Sequence, residues 1–286
     1  MRLIFLANFE LYDGKYWEGD RLMPWLYAGL RNQPFYHLLA DSLGKYYDIL
    51  KFDISKCPVP YWEKTQGISN VLKFINFTPK EDDIIFYIQN QSHYSNDIVN
   101  PIFYFHIDGA VVFNTQEIEL GFRRWSRDYY PVGKKHITVP LWVFPELHDP
   151  TKKKTNFLAD INRNNSLEEY KETMETSKYV LIKGDWVSNR VFEAMASKTI
   201  PLIITWKVNK RFKDMKTKYR EMGLKDGENC YFIDLYDWRR DLIINEYDEE
   251  MAQKGYDLVM KEHTFSNRVD IFRREIDNYM NSISKT

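Results

Sequence analysis

Short apolar runs bounded by polar turns recur along the chain, with helix-length amphipathic stretches between them. This alternation is expected of an α/β chain built on parallel strands. In the first half Leu3–Ala7, Ile49–Asp53, Asp83–Gln89, Ile102–His106, Ala110–Asn114 and Ile137–Phe144 read as strands, and Phe35–Leu43 and Ser69–Phe77 as helices. A long segment, YDGKYWEGDRLMPWLYAGLRNQP, separates the first strand from the first helix. Connections of that length in compact domains tend to carry function. In the second half Asn156–Asp160, Tyr179–Ile182, Ile200–Thr205 and Cys230–Ile233 read as strands, and Ser166–Thr176, Asn189–Ser197, Asp248–His263 and Ser266–Ser282 as helices. The Pro- and Lys-rich piece PELHDPTKKK reads as a linker, placing a boundary near residue 150.

A chain of 286 residues exceeds the usual size of one domain, so two halves with separate cores are expected. Lys and Arg total 40 against 41 Asp and Glu, and no global field draws the chain to nucleic acid or an acidic membrane. Two cysteines far apart, Cys57 and Cys230, exclude a disulfide framework and a Cys-rich zinc site, and fit a cytoplasmic setting. The N-terminus MRLIFLANFELYDG lacks a small-residue cleavage site, and no run approaches the roughly 18 apolar residues of a membrane span. Twenty Tyr, 18 Phe and 8 Trp serve core packing and would also suit stacking on sugars or bases.

Chemistry concentrates in KGDWVSNRVFEAMASKTIPLI, a strand, a turn and a helix. Seven residues stand between Asp185 and Glu193, and the helix begins near Ser188 and Asn189. Backbone N–H groups at such a start favour a diphosphate, and a carboxylate one turn further in can accept hydrogen bonds from both ribose hydroxyls. Arg190, Arg163 and Lys183 are the cationic candidates for the departing nucleoside diphosphate. Spacing alone leaves an ordinary turn Asp and an ordinary helical Glu as the competing explanation.

The stretch SKYVLIKGDWVSNRVFEAMASKTIPLII resembles the second-domain signature of glycosyltransferases with two facing Rossmann-like domains, the GT-B architecture. It is most similar to the group-one transferases, the spore-coat CgeB-like proteins and the exostosin-like enzymes. In those families an acidic pair with seven intervening residues is typical, the second carboxylate binds the ribose, and a small residue and Pro follow the helix. Glu193 and Pro201 match, whereas Asp185 stands for the commoner Glu and Lys198 for the commoner Gly. DGENCYFID looks like the late strand of these enzymes, KEHTFSNRVDIF like their terminal helices, and FYHLLADSLGKYYDILKFDI like their first helix and second strand. The resemblance is convincing over residues 175–275, and the stretch from Asp160 to Tyr179 lacks one strand-helix unit of full-length relatives.

The resemblance implies an N-terminal Rossmann-like acceptor domain over residues 1–145, a donor domain over 146–264, and a C-terminal helix over 265–286 packing back on the first domain. It also implies transfer of a sugar from a nucleotide sugar, with UDP-sugar as the expected donor and no metal or other cofactor. The acceptor would be a glycan or surface polymer, or a hydroxymethylated base in DNA as in phage-type DNA glucosyltransferases. The first domain must supply the group that faces the sugar. Asp108, with His106 beside it, ends a predicted strand and is the expected base, with Asp185 the third catalytic candidate. Trp17 and Arg21 in the long first loop, His93 beside Asp97 in the polar loop QNQSHYSND, and Arg124 are the acceptor-side candidates. Arg124 belongs to a basic and aromatic cluster with Arg123, Arg127, Lys134, Lys135, Trp125, Tyr129 and Tyr130, suited to phosphates and a flipped base. A module of the same fold that binds nucleotide or glycan without turnover is the alternative. A dehydrogenase is disfavoured, because NFELYDG stands where G-x-G-x-x-G would follow the first strand.

Overall fold

The computed structural model describes residues 1–7, 32–54, 57, 66–89, 94–95, 97–106, 119–124, 134–159, 167–183, 188–205, 210–234 and 246–284. The chain divides into two compact units, Met1–Val139 and Pro140–Thr286. Both are α/β with wholly parallel principal sheets.

The first unit comprises β1 (Leu3–Ala7), α1 (Asn32–Leu43), β2 (Ile49–Asp53), β3 (Gln66–Gly67), α2 (Ile68–Phe74), β4 (Ile84–Gln89), β5 (Tyr94–Ser95), β6 (Ile102–His106), β7 (Leu120–Arg124) and β8 (Lys135–Val139). Its six-stranded sheet has the order β2-β1-β4-β6-β7-β8, and β3 pairs with β5 as a short separate ladder. The winding reverses between β1 and β4, as in flavodoxin-like sheets, and in such folds ligands bind outside the carboxyl ends of the strands at the reversal. Both sheet faces are apolar, as a covered parallel sheet requires. Ile4, Leu6, Ile85, Tyr87, Ile102 and Tyr104 pack with Ile68, Val71 and Leu72 of α2. The other face carries a phenylalanine row in which Phe5 stacks on Phe86 at 4.6 Å and Phe86 meets Phe103 edge-on at 6.1 Å.

At the amino edge Arg2 grips the buried Asp83 with two bonds of 2.9 and 2.6 Å, and the Lys80 N–H adds a third at 2.7 Å. The guanidinium, and then the backbone donor, hold the Asp83 carboxyl below the usual carboxylate range against the opposing effect of burial. Asp97 turns toward α2, accepting from the Ser69 N–H at 2.9 Å and from the Ser69 hydroxyl. It thereby caps a helix whose own N-cap, Gly67, has no side chain to do so. The carboxyl lies so close that a Cβ on Gly67 would fall 1.7 Å from Asp97 Oδ2.

The second unit comprises a 3-10 turn (Pro145–Leu147), β9 (Asn156–Ala159), α3 (Leu167–Thr176), β10 (Ser177–Ile182), α4 (Arg190–Ala196), β11 (Ile200–Thr205), α5 (Lys210–Glu221), β12 (Tyr231–Asp234), α6 (Glu249–Glu262) and α7 (Phe265–Ile283). Its strands lie in chain order, β9-β10-β11-β12, with no reversal among them. One face packs Tyr179, Ile200, Leu202 and Ile233 against Met251 and Ala252 of α6.

Several sequence expectations shift. The expected strand Ile137–Phe144 is β8, which ends at Val139 before Pro140, a residue without the N–H a ladder needs. The helix expected over Ser69–Phe77 ends at Phe74, followed by Asn76 with φ 51°, a left-handed stop. The basic stretch from Gly121 contains β7, and the charged stretch after Thr205 contains α5. The expected strand Ala110–Asn114 lies outside the described residues.

Candidate functional site at the β10–α4 corner

All six residues of α4 after Arg190 are buried, so this short helix is enclosed on every side. It packs against α6, β11, α3 and β10. Burying a carboxylate in such a helix is costly unless it is hydrogen-bonded. Glu193, only 3% exposed, meets that demand by accepting from the Tyr170 hydroxyl of α3, and it stands in the first turn of α4, where the helix dipole favours negative charge. The Arg190 guanidinium lies over the Tyr170 ring, 5.9 Å from its centroid. Tyr170, Glu193 and Arg190 thus form one cluster joining the first turns of two helices.

The turn entering α4 is fixed from a third helix. The Ser188 N–H donates to the Tyr219 hydroxyl of α5 at 2.9 Å, and the Arg190 N–H to Ser188 Oγ at 3.3 Å. Tyr219 is fully buried, and its phenol meets the turn between β10 and α4. Burial raises the Tyr219 phenol far above its ordinary value, which keeps it a neutral acceptor. Asn189 is the N-cap of α4 but makes no capping bond, and its Oδ1 is buried with no donor among the described residues. Lys183, just beyond β10, is exposed.

The helix is held from beneath by the α6–α7 corner. Phe192 stacks on His263 with centroids 4.2 Å apart. His263 Nε2 lies 2.9 Å from the Met222 carbonyl and Nδ1 lies 2.9 Å from Arg268 Nη2, so Nε2–H donates and Nδ1 accepts. Burial, then the adjacent Arg268 guanidinium, push the His263 imidazole down to about 4. Arg268, also 3% exposed, donates to the carbonyls of Pro140 at 3.0 Å, Leu141 at 2.7 Å and Glu262 at 2.8 Å. Burial lowers its guanidinium to about 10.

Of the sequence candidates, Ser188, Asn189, Arg190 and Glu193 converge at this corner, with Lys183 on the strand side of the same connection. Asp185, Arg163, Asp108, Trp17, Arg21 and His93 lie outside the described residues. His106 ends β6 of the first unit opposite Arg123 of β7, and Arg124 ends β7 opposite Val139. Asp97, weighed as a partner of His93, is the cap of α2. Tyr170 and Tyr219 are the members sequence reading missed, and neither spacing nor composition marks them, because each reaches the corner from a different helix.

Among the described residues no cluster of His, Cys, Asp and Glu could hold a metal ion, and no helix is long and apolar enough to cross a membrane. Compared with protein-family models and with curated proteins, the chain matches none.

Proposed function

We propose that the chain is a nucleotide-sugar-dependent glycosyltransferase whose second unit holds the donor nucleotide at the β10–α4 corner. The observation that carries this reading is the convergence there of a buried helix-start carboxylate, Glu193, a buried acceptor without a donor among the described residues, Asn189 Oδ1, and a guanidinium, Arg190. A nucleoside diphosphate supplies the complement: ribose hydroxyls that donate, and phosphate oxygens that accept from the Arg190 guanidinium. The corner lies at the carboxyl end of a parallel strand, the side on which open α/β sheets bind ligands. The first unit would present the acceptor hydroxyl, with His106 at the carboxyl end of β6 as a residue of its site. Acceptors in this reading are a glycan or surface polymer, or a hydroxymethylated base in DNA.

The test is release of nucleoside diphosphate from a panel of nucleotide sugars, with glycan, lipid and DNA acceptors analysed by mass spectrometry. Glu193→Ala should weaken donor binding by about 1–3 kcal/mol, the range for hydrogen bonds to a charged group. Unchanged affinity in that variant overturns the donor-site assignment. Tight nucleotide binding without release for any acceptor would favour a binding module of the same fold. DNA binding that does not weaken steeply with salt would remove the DNA branch.

A further inference from the structure

The two principal sheets end in the edge strands β2, β8, β9 and β12. An exposed edge invites pairing with another chain, and a charge or a Pro on the strand blunts it. β2 carries Lys51 and Asp53, β8 carries Lys135, and β12 carries Asp234. β9, reading NFLA, carries neither a charge nor a Pro. Its one polar side chain turns toward its own unit, Asn156 Nδ2 donating to Thr176 Oγ1 at 3.0 Å. Phe157 and Leu158 are 50% and 43% exposed, and among the described residues no strand pairs with the outer side of β9. At the opposite edge of the same sheet the Lys216 ammonium lies over Phe232, 5.0 Å from its ring centroid.

We infer that β9 is the pairing edge for a second copy of this chain, joined antiparallel about a two-fold axis into one continuous sheet. The charge pattern selects both the occupant and the direction. Lys153, exposed, precedes the amino end of β9, whereas Glu168 and Glu169, also exposed, stand in the first turn of α3. α3 packs on β9 and runs directly into the amino end of β10, so its first turn lies toward the carboxyl end of the sheet. An antiparallel neighbour of the same sequence therefore sets its Lys153 beside those two carboxylates, and the two-fold axis repeats the contact. A parallel copy would set like charges side by side instead. Pairing also gives partners to the alternate N–H and C=O groups that an edge strand turns outward, and takes Phe157 and Leu158 of both copies out of water.

Sedimentation velocity of the full chain, over a concentration series at low salt, tests this. Wild type should reach twice the chain mass, and added salt should weaken the dimer. Lys153→Glu and Glu168→Lys each set like charges against each other at both symmetric contacts, and each should raise the dissociation constant at least about tenfold. Mixed in equal amounts, the two variants face each other with opposite charges at both contacts, and the dimer should return. Leu158→Lys charges the edge itself and should leave the chain monomeric. Wild type that stays monomeric at every concentration overturns the inference, whether or not the edge captures an unrelated extended peptide. So does a dimer that survives Leu158→Lys. Charge variants that melt cooperatively and either dimerise as well as wild type or fail to recombine on mixing overturn it too. Where Leu158→Lys does not fold, the mixing of the two charge variants decides.

Discussion

Lys154 reaches the carbonyl of Ser197 at 2.6 Å, although 43 residues separate them, and the same ammonium donates to the Glu175 carbonyl at 2.7 Å and to Thr199 Oγ1 at 2.9 Å. Those carbonyls lie at the C-terminal ends of α3 and α4, where a cation is favoured by both dipoles. One lysine thus ties together the far ends of the two helices whose first turns carry Tyr170 and Glu193. Lys154→Met keeps the length of the stem but leaves three acceptors without their donor. It should destabilise the protein by about 2–4 kcal/mol, measured as a lowered urea midpoint at constant slope. A loss below about 0.5 kcal/mol would show that water serves these carbonyls equally well.

Two buried bases give the same linkage sign to pH, in separate windows. His263 is held at about 4 against an ordinary 6.5, so between those values the unfolded chain binds more protons than the folded one. Its contribution is complete above pH 6.5 and is lost as pH falls toward 4, amounting to roughly 3 kcal/mol. Lys154 is held at about 8 against 10.5, so its contribution is flat below pH 8 and rises between pH 8 and 10.5. Urea midpoints from pH 4.5 to 7.5 should fall less steeply on acidification in His263→Gln than in wild type. Parallel profiles would remove His263 as the group responsible.

Lys198 follows α4 with φ 52°, the left-handed position that Gly223 fills after α5 with φ 84°. In both places the next two N–H groups close the helix by the same pair of bonds, Lys198 to Met195 and Thr199 to Ala194, and Gly223 to Arg220 and Leu224 to Tyr219. Lys198→Gly should relieve backbone strain at the loss of a cation–π contact with Tyr256, 5.3 Å from its ring centroid. The net expectation is a gain of about 0.5 kcal/mol, seen as a higher melting temperature. Lys198→Ala keeps the strain and drops the contact, and should lower it.

Gly67 and Asp97 should behave as one unit. Gly67→Ala drives a methyl into the Asp97 carboxyl, and Asp97→Ala removes the cap of α2 at about 1 kcal/mol. Because the second change removes the obstacle created by the first, the double variant should lose less than the sum of the two singles, by 1 kcal/mol or more in a double-mutant cycle. Additive losses would contradict the contact.

How far these features could be read from sequence depended on whether a local period carried them. β1, β2, β6 and β11 are compact apolar runs, and they occur with the limits that pattern predicts. β7 was hidden because LGFRR places a glycine and two arginines among its five residues, and pairing with β6 and β8 overrides that composition. α5 was hidden because its polar residues outnumber the apolar ones that anchor it, among them Tyr219. At the site, Glu193 was legible from its place at a helix start, whereas its phenol donor was not. Tyr170 reaches Glu193 across 23 residues of chain, and no sequence period records that distance.

The grip of Arg268 on Pro140 and Leu141, together with the bonds joining Val143 to His263 and Phe265, sets the shortest fragment in which the second unit can be studied alone. A piece cut after Leu141 would strand two guanidinium donors in the interior, directly behind the imidazole that supports Phe192. Expression of the second half in isolation should therefore succeed from Pro140 or earlier, and yield insoluble material when the first four residues of that unit are trimmed away.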